Sequence, residues 1–241
     1  MSTADLALVA LVVFGASIVQ TTAGFGFSLT AVPMMALFIE TRTASMLAAV
    51  LSMVTSGFQS WHGRDHIEWP AARRLILAAG IGMPIGLVVF QVASERGLKL
   101  FLGFSTLAMV VLLVRGLDLS GAGPRIDWAA GAVAGVLTTS LSTNGPPLVF
   151  LLQGRRLPPE RFRATITTIF LVTGIVGLAG RAAVGGFTHD VGVAILVAPV
   201  PLGLGILCGL QLRRFLHGDR FRKVVLVLLV AAAISAIAAA L

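Results

Sequence analysis

Charged residues divide the chain into long apolar stretches, at about residues 6–39, 44–61, 75–93, 98–114, 128–154, 164–184, 191–212 and 224–241. Most have the length of a single membrane crossing, because about 20 helical residues traverse a hydrocarbon core about 30 Å thick. The first does not fit one helix. Asp5 and Glu40 are separated by 34 uncharged residues, which as a single helix would measure about 51 Å at about 1.5 Å per residue. Gly24, Gly26 and Pro33 lie in its middle, so two helical pieces joined by a break are expected. The fifth stretch carries 27 uncharged residues between Asp127 and Arg155. Length alone permits one tilted helix there. Gly145-Pro146-Pro147 argues against it, because each proline lacks an N–H and its ring crowds the preceding turn. Backbone groups freed at such a break cannot face lipid and must face a cavity or other protein. The two breaks, at residues 24–28 and 142–147, are therefore the candidate site.

The two broken stretches echo one another. Gly15-Ala16 followed by Thr21-Thr22 recurs as Gly131-Ala132 followed by Thr138-Thr139. Beyond the breaks, Thr41-Arg42-Thr43-Ala44-Ser45 aligns loosely with Arg161-Phe162-Arg163-Ala164-Thr165. The expected organisation is a duplication within one membrane domain, with residues 1–120 and 121–241 as its repeats and Gly121-Ala122-Gly123-Pro124 as the joint. Charge placement offers an independent test. If each broken stretch is a hairpin that returns to the side it came from, one side holds 14 Lys and Arg, and the other holds Arg42, Arg96, Lys99 and Arg181. If each crosses once, the better split is 12 against 6. The cytoplasmic excess of positive charge favours hairpins. Each half is then a hairpin plus three crossings, an odd net number, so the halves are inverted and both termini face outward. Trp61, Trp69 and Trp128 fall at the cytoplasmic interface, where belt residues belong. The expected fold class is all-α: a polytopic integral membrane protein of two inverted repeats, an architecture that recurs among transporters.

Composition agrees. The 241 residues are 57% hydrophobic and 12% charged, with a mean hydropathy of +0.97, against about 25% charged in ordinary soluble domains. Lys and Arg number 18 against 10 Asp and Glu, a formal charge of +8. In a soluble chain that balance would raise nucleic acid as a partner; here the basic residues sit in short loops, and nucleic acid is not expected. Cys208 is the single cysteine, which excludes an intrachain disulfide and reads as a buried, inert thiol. Asp5 is the only charge before Glu40, so the N-terminus lacks a basic leader region and reads as a retained first membrane segment.

Two motifs resemble a known family. GFGFSLTAVP at 24–33 resembles the first glycine-rich motif of the TauE/SafE sulfite exporter family, also called the toluene sulfonate uptake permease family. NGPPLVFLLQGRRLPPERFRAT at 144–165 is similar to that family's second-half pattern of Gly-Pro-Pro, an apolar run, a basic turn and Phe-Arg-Ala-Thr. The resemblance covers nearly the whole chain. The family often has glycine where this chain has Asn144, and a fuller glycine cluster where it has Phe25 and Phe27. What the resemblance implies is a bacterial inner-membrane transporter of small, often sulfur-containing anions: sulfite, sulfoacetate, sulfonates or similar organic acids.

The residues point to the same chemistry. All ten acidic residues lie at the ends of apolar stretches or between them, so no carboxylate is placed mid-membrane to bind a cation or carry a proton. The intramembrane polar groups are hydroxyls and amides, joined at the breaks by backbone N–H that glycine leaves open to a ligand. Such donors suit an anion with several acceptor oxygens. The candidate substrate-binding residues are Gln20, Thr22, Gly24, Gly26, Ser28, Thr55, Thr139, Thr143, Asn144, Gly145 and Pro146. Asn144 is the strongest of them, because an amide in the apolar middle needs a partner or a task. The bland reading of the hydroxyls is that they bond the carbonyl four residues back and let helices approach. Arg42 and Arg163 read as markers of helix starts at the interface, and Arg181 as a snorkelling side chain, with the lining of an outer vestibule as its alternative. His62 and His66 have metal-ligand spacing on a helix but read as a solvated loop. No metal, cofactor or catalytic constellation is implied. The expected partners are a small anion and the lipid bilayer, with self-association left open. The competing reading is a membrane scaffold or assembly factor that transports nothing.

Overall fold

The computed structural model describes residues 3–92, 118–141, 145–183, 187–215 and 218–238, with isolated positions between 94 and 115. Among these residues every regular element is helical: α1 (Thr3–Ala23), α2 (Phe27–Met35), α3 (Thr41–His62), α4 (Trp69–Val92), α5 (Pro124–Leu141), α6 (Gly145–Gly154), α7 (Pro159–Ala183), α8 (His189–Val197), α9 (Pro199–Arg213) and α10 (Gly218–Ala238), plus a 3-10 turn at Arg64–His66. By length and hydropathy α1, α4 and α7 qualify as membrane spans, and the α8–α9 pair as a fourth. α3 is rich in Ser, Thr and Gln, yet it packs in the middle of the molecule against α1, α2, α7 and α8. The expected apolar stretch at 98–114 lies mostly outside the described residues.

The first stretch breaks where glycine predicts. Gly24 and Gly26 adopt φ of 89° and 102°, left-handed conformations that other residues rarely take. The chain reverses there. A Cβ on Gly26 would lie 2.9 Å from Val19 Cγ1, and α2 shares one core with the N-terminal halves of α1 and α3 through Val9, Val13, Ala31, Met35, Ala44 and Leu47. α2 has 9 residues, a rise of about 14 Å, so it covers less than half of the hydrocarbon thickness. The fifth stretch divides into α5 and α6. Gly145, Pro146 and Pro147 form the first turn of α6, where a missing N–H costs nothing because no carbonyl awaits it. Residues 142–144, including Ser142, Thr143 and Asn144, lie outside the described residues.

One expectation is corrected. The stretch at 191–212, read as a single span, is bent by 51° between α8 and α9, with Pro199 opening α9. Proline is well placed as the first residue of a helix but cannot bond back into the preceding one. Cys208 is also corrected: it is exposed on the protein surface, not buried, which on an apolar helix is the lipid side.

Three pairings dominate the packing: α4 with α5, α1 with α9, and α3 with α7. Their contacts fix the relative directions. Gly82 meets Ala132 and Val136, Gly86 meets Val136 and Thr139, and Gly131 meets Leu75 and Ala78, so α4 and α5 are parallel. Gly205 meets Phe14 and Ser17, and Gly209 meets Ile18 and Thr21, so α1 and α9 are parallel too. α3 and α7 are antiparallel, with Ser45 against Arg181, Gly57 against Leu171 and Ser60 against Thr168. Glycines four apart on one face let backbones approach in a bilayer, where apolar burial alone does not drive helices together. A second core joins α4, α5, α6 and α7 around Phe25, Leu75, Leu148, Leu152, Phe162 and Ile166. Trp61, Trp69 and Trp128 stay exposed, as interfacial aromatics do.

A Cβ at Gly135 would strike the backbone of Ala79, which cannot yield. Gly135→Val is expected to lower the detergent unfolding temperature by about 5 °C or more. Gly192→Ala, which meets nothing within 4 Å, is expected to leave it within about 2 °C.

Candidate functional site

Two breaks far apart in sequence meet in space. A Cβ on Gly145 would lie 3.2 Å from Leu29 Cδ1 and 3.7 Å from Phe25 Cδ2, so the start of α6 rests on the first break and the opening turn of α2. Phe25 in turn sits edge-on to Phe162, ring centroids 6.3 Å apart. Gly24 packs on Arg163, where a Cβ would come within 2.9 Å of Arg163 Cγ. Lack of a side chain at Gly24 and Gly145 is thus what brings α1, α2, α6 and α7 together. Of the candidates, Gly24, Gly26, Ser28, Gly145 and Pro146 share this neighbourhood, and Pro146 is buried. Thr143 and Asn144 lie outside the described residues.

Most candidate hydroxyls and amides are engaged with the protein. Gln20 Nε2 donates to Ser56 Oγ at 2.8 Å, and Gln20 Oε1 accepts from Ser52 Oγ at 3.1 Å, tying α1 to α3. Thr22 Oγ1 donates to the Ile18 carbonyl at 2.6 Å, Thr55 Oγ1 to Leu51 at 2.9 Å, and Thr139 Oγ1 to Met83 at 2.8 Å. Such bonds satisfy hydroxyls where water cannot. Ser28 differs: it is 6% exposed, and its Oγ has no hydrogen-bond partner among the described residues. It lines a cavity of about 20 Å³ together with Ala49, Ser52, Met53, Thr138, Phe170, Gly174 and Arg181.

The buried charges were misjudged from sequence. Arg163, expected at the interface, is 4% exposed beneath the first break, and Arg181, expected to snorkel, is 1% exposed with Nη1 donating to Ser45 Oγ at 3.1 Å. Arg42, of these three, keeps the expected place: it is exposed, with its guanidinium 5.7 Å from the Phe90 ring centre. Asp127, expected as an acid at the end of an apolar stretch, is fully buried and accepts from Arg74 Nε at 2.6 Å and Arg155 Nη2 at 2.5 Å. That triad locks the start of α5 to α4 and to the residue after α6. The linker reinforces the lock: the Leu119 N–H donates to the Gly154 carbonyl at 2.8 Å, and Arg156 pairs with Asp118 at 3.2 Å. Nothing in the local sequence pairs Asp127 with arginines 53 and 28 residues away. His62 Nδ1 contacts the Phe58 carbonyl at 2.8 Å, and His66 lies 3.6 Å from Glu160.

Spanning helices, a pair of adjoining breaks and an interior furnished with hydroxyls and buried arginines define a multi-pass membrane protein with a polar centre. Residues 9–236 match the family described as Sulfite exporter TauE/SafE, and the chain belongs to that family. It is 26% identical over 175 residues to a "Probable sulfite/organosulfonate exporter TauE" of Cupriavidus necator, covering 65% of this chain and 64% of that protein. It is 25% identical over 173 residues to a "Probable inner membrane transporter protein TsaS" of Comamonas testosteroni, covering 70% of this chain and 72% of that one. The chain thus spans slightly less than two thirds of the length of the first relative and somewhat more of the second. No solved structure matches it.

Asp127→Ala leaves Arg74 and Arg155 facing a buried gap. The expected loss is about 3–5 kcal/mol, read as a large fall in unfolding temperature and faster proteolysis of the 118–123 linker.

Proposed function

We propose that this chain is a secondary transporter of small oxyanions in a bacterial inner membrane, with sulfite, sulfoacetate, sulfonates and similar organic acids as the substrate class. The observation that carries the reading is the meeting of the two breaks, Gly145 against Phe25 and Leu29. Half-helices that start there, α2 and α6, direct their open N–H groups and positive dipole ends into the protein, where they attract negative charge. The names of both relatives, an exporter and a transporter, support it.

The dimensions support alternating access as the mechanism. The cavity beside Ser28, about 20 Å³, holds about one water, which favours a mechanism in which the packing opens first on one side and then on the other. The helix pairings support two inverted repeats, residues 1–120 and 121–241, as the moving parts. Exchanging the halves turns the α1–α9 pair into the α5–α4 pair and α1–α2 into α5–α6, and returns the antiparallel α3–α7 pair to itself. An antiparallel central pair is what an axis in the membrane plane requires. Charge on the anion couples its movement to the membrane potential, and protons carried on the substrate are the second available drive.

In liposomes, wild-type protein is expected to pass radiolabelled sulfite or methanesulfonate. Asn144→Ala and Gly145→Leu are each expected to reduce the flux at least tenfold at equal insertion. Wild-type flux in both variants would sink the site assignment. A wild-type protein that passes no anion would favour the scaffold reading.

A further inference from the structure

The cavity beside the first break holds a combination that a membrane interior rarely keeps without use. Arg181 and Ser28 line it together, the first 1% and the second 6% exposed. Burying a guanidinium among apolar helices is expensive, and intramembrane ionisable groups mark functional sites by default. Arg181 stands in the last turn of α7, and its side chain lines the same cavity as Gly174, two turns earlier, as helical side chains that lean toward the N-terminus do. The described lining contains no acidic residue. Of its hydroxyls, Thr138 donates to the Ala134 carbonyl at 2.7 Å and Ser52 to Gln20 Oε1 at 3.1 Å. Ser28 Oγ has no partner among the described residues. What the cavity offers a ligand is therefore donors: the Ser28 hydroxyl and, beside it on the lining, the positive charge of the Arg181 guanidinium, whose Nη1 is already engaged by Ser45.

The geometry points to Arg181 and Ser28 as an oxyanion subsite, with Arg181 the counter-charge of the transported anion and Ser28 the donor to its remaining oxygen. A pyramidal sulfite or a sulfonate head presents two oxygens to the guanidinium fork and the third to Ser28, a match that an ammonium cannot reproduce. This rests on the transporter reading above and adds to it the residue that sets charge selectivity. Ser28 stands in the first turn of α2, so an anion held at the subsite is close to the N-terminal end of that half-helix. The bond from Arg181 to Ser45 at 3.1 Å holds the guanidinium against α3 and supplies the rival explanation, a purely structural tie between α7 and α3.

Flux of radiolabelled sulfite into liposomes, at matched protein insertion, separates the two. Arg181→Gln is expected to raise KM for sulfite about 10–100-fold, the worth of a charge-assisted bond. Arg181→Lys is expected to recover part of that loss. Ser28→Ala is expected to raise KM about 3–10-fold without lowering the unfolding temperature, because the hydroxyl it removes supports no packing bond. Ser45→Ala keeps the charge and is expected to leave KM within about twofold. An unchanged KM in Arg181→Gln overturns the assignment, as does an equal loss in Ser45→Ala. Should Arg181→Gln fail to insert, an unchanged KM in both Arg181→Lys and Ser28→Ala has the same force. Failure of the transporter reading is separable, since it appears as absent flux in the wild-type protein before any variant is compared.

Discussion

In hydrocarbon no water is available to pair with a backbone N–H or C=O that a helix releases, and the rest of this molecule follows from that constraint. Two breaks in apolar stretches release such groups, so both must be surrounded by protein. They are sheltered by each other. Gly24 fits only against Arg163 and the residues around it, and Gly145 only against Phe25 and Leu29. A bulky side chain at either position would separate the breaks and expose them. Glycine does two tasks at residues 24 and 26, permitting φ of 89° and 102° and admitting a neighbouring helix. At Gly145 only the second task applies.

Close approach elsewhere is built from the same means. Gly82 and Gly86 on α4, Gly131 and Gly135 on α5, and Gly205 and Gly209 on α9 each meet backbone or short side chains of the partner helix. Pairs formed this way are parallel, and parallel neighbours are not joined by short turns. They bind distant parts of the chain, α1 to α9 across the two halves and α4 to α5 across the linker. Dispersion between backbones then does what apolar burial does in water.

Local physics made the fold largely legible in the sequence. Spacing of charges marked the helices, and Gly24, Gly26 and Gly145-Pro146-Pro147 marked the breaks, because glycine and proline act on their own backbone. The bend at Pro199 escaped although Pro199 and Pro201 both stand in that run, because proline in a long apolar run is compatible with a continuous span, as Pro84 within α4 demonstrates. The site was less legible. Thr22, Thr55 and Thr139 are bonded to carbonyls one turn back or across to a neighbour, and a sequence does not tell such a threonine from one facing a ligand. Ser28 stands out only once its surroundings are known. Charge was the least legible of all. Asp127 looked like a residue at the end of a stretch, and its burial depends on Arg74 and Arg155 arriving from α4 and from beyond α6.

Charge also gives the molecule its polarity from end to end. Arg163 and Arg181 are 18 residues apart, about five turns of helix, and so share one face of α7. That face looks onto α3, where Gly63 lies beside Ala164 at one end and Ser45 bonds Arg181 at the other. The Cα atoms of the two arginines are separated by a rise of about 27 Å along α7, with Arg163 packed on Gly24 and Arg181 reaching back to the cavity that Ser28 lines. Between them α3 and α7 present hydroxyls and no carboxylate, and Asp127, the fully buried acid among the described residues, is neutralised by two arginines. The α3–α7 pair thus carries a buried cation toward each end of α7 and no acidic side chain from α3 or α7 between them. Because a buried charge is far less screened than one at a surface, two arginines on one helix make the interior along this pair electropositive.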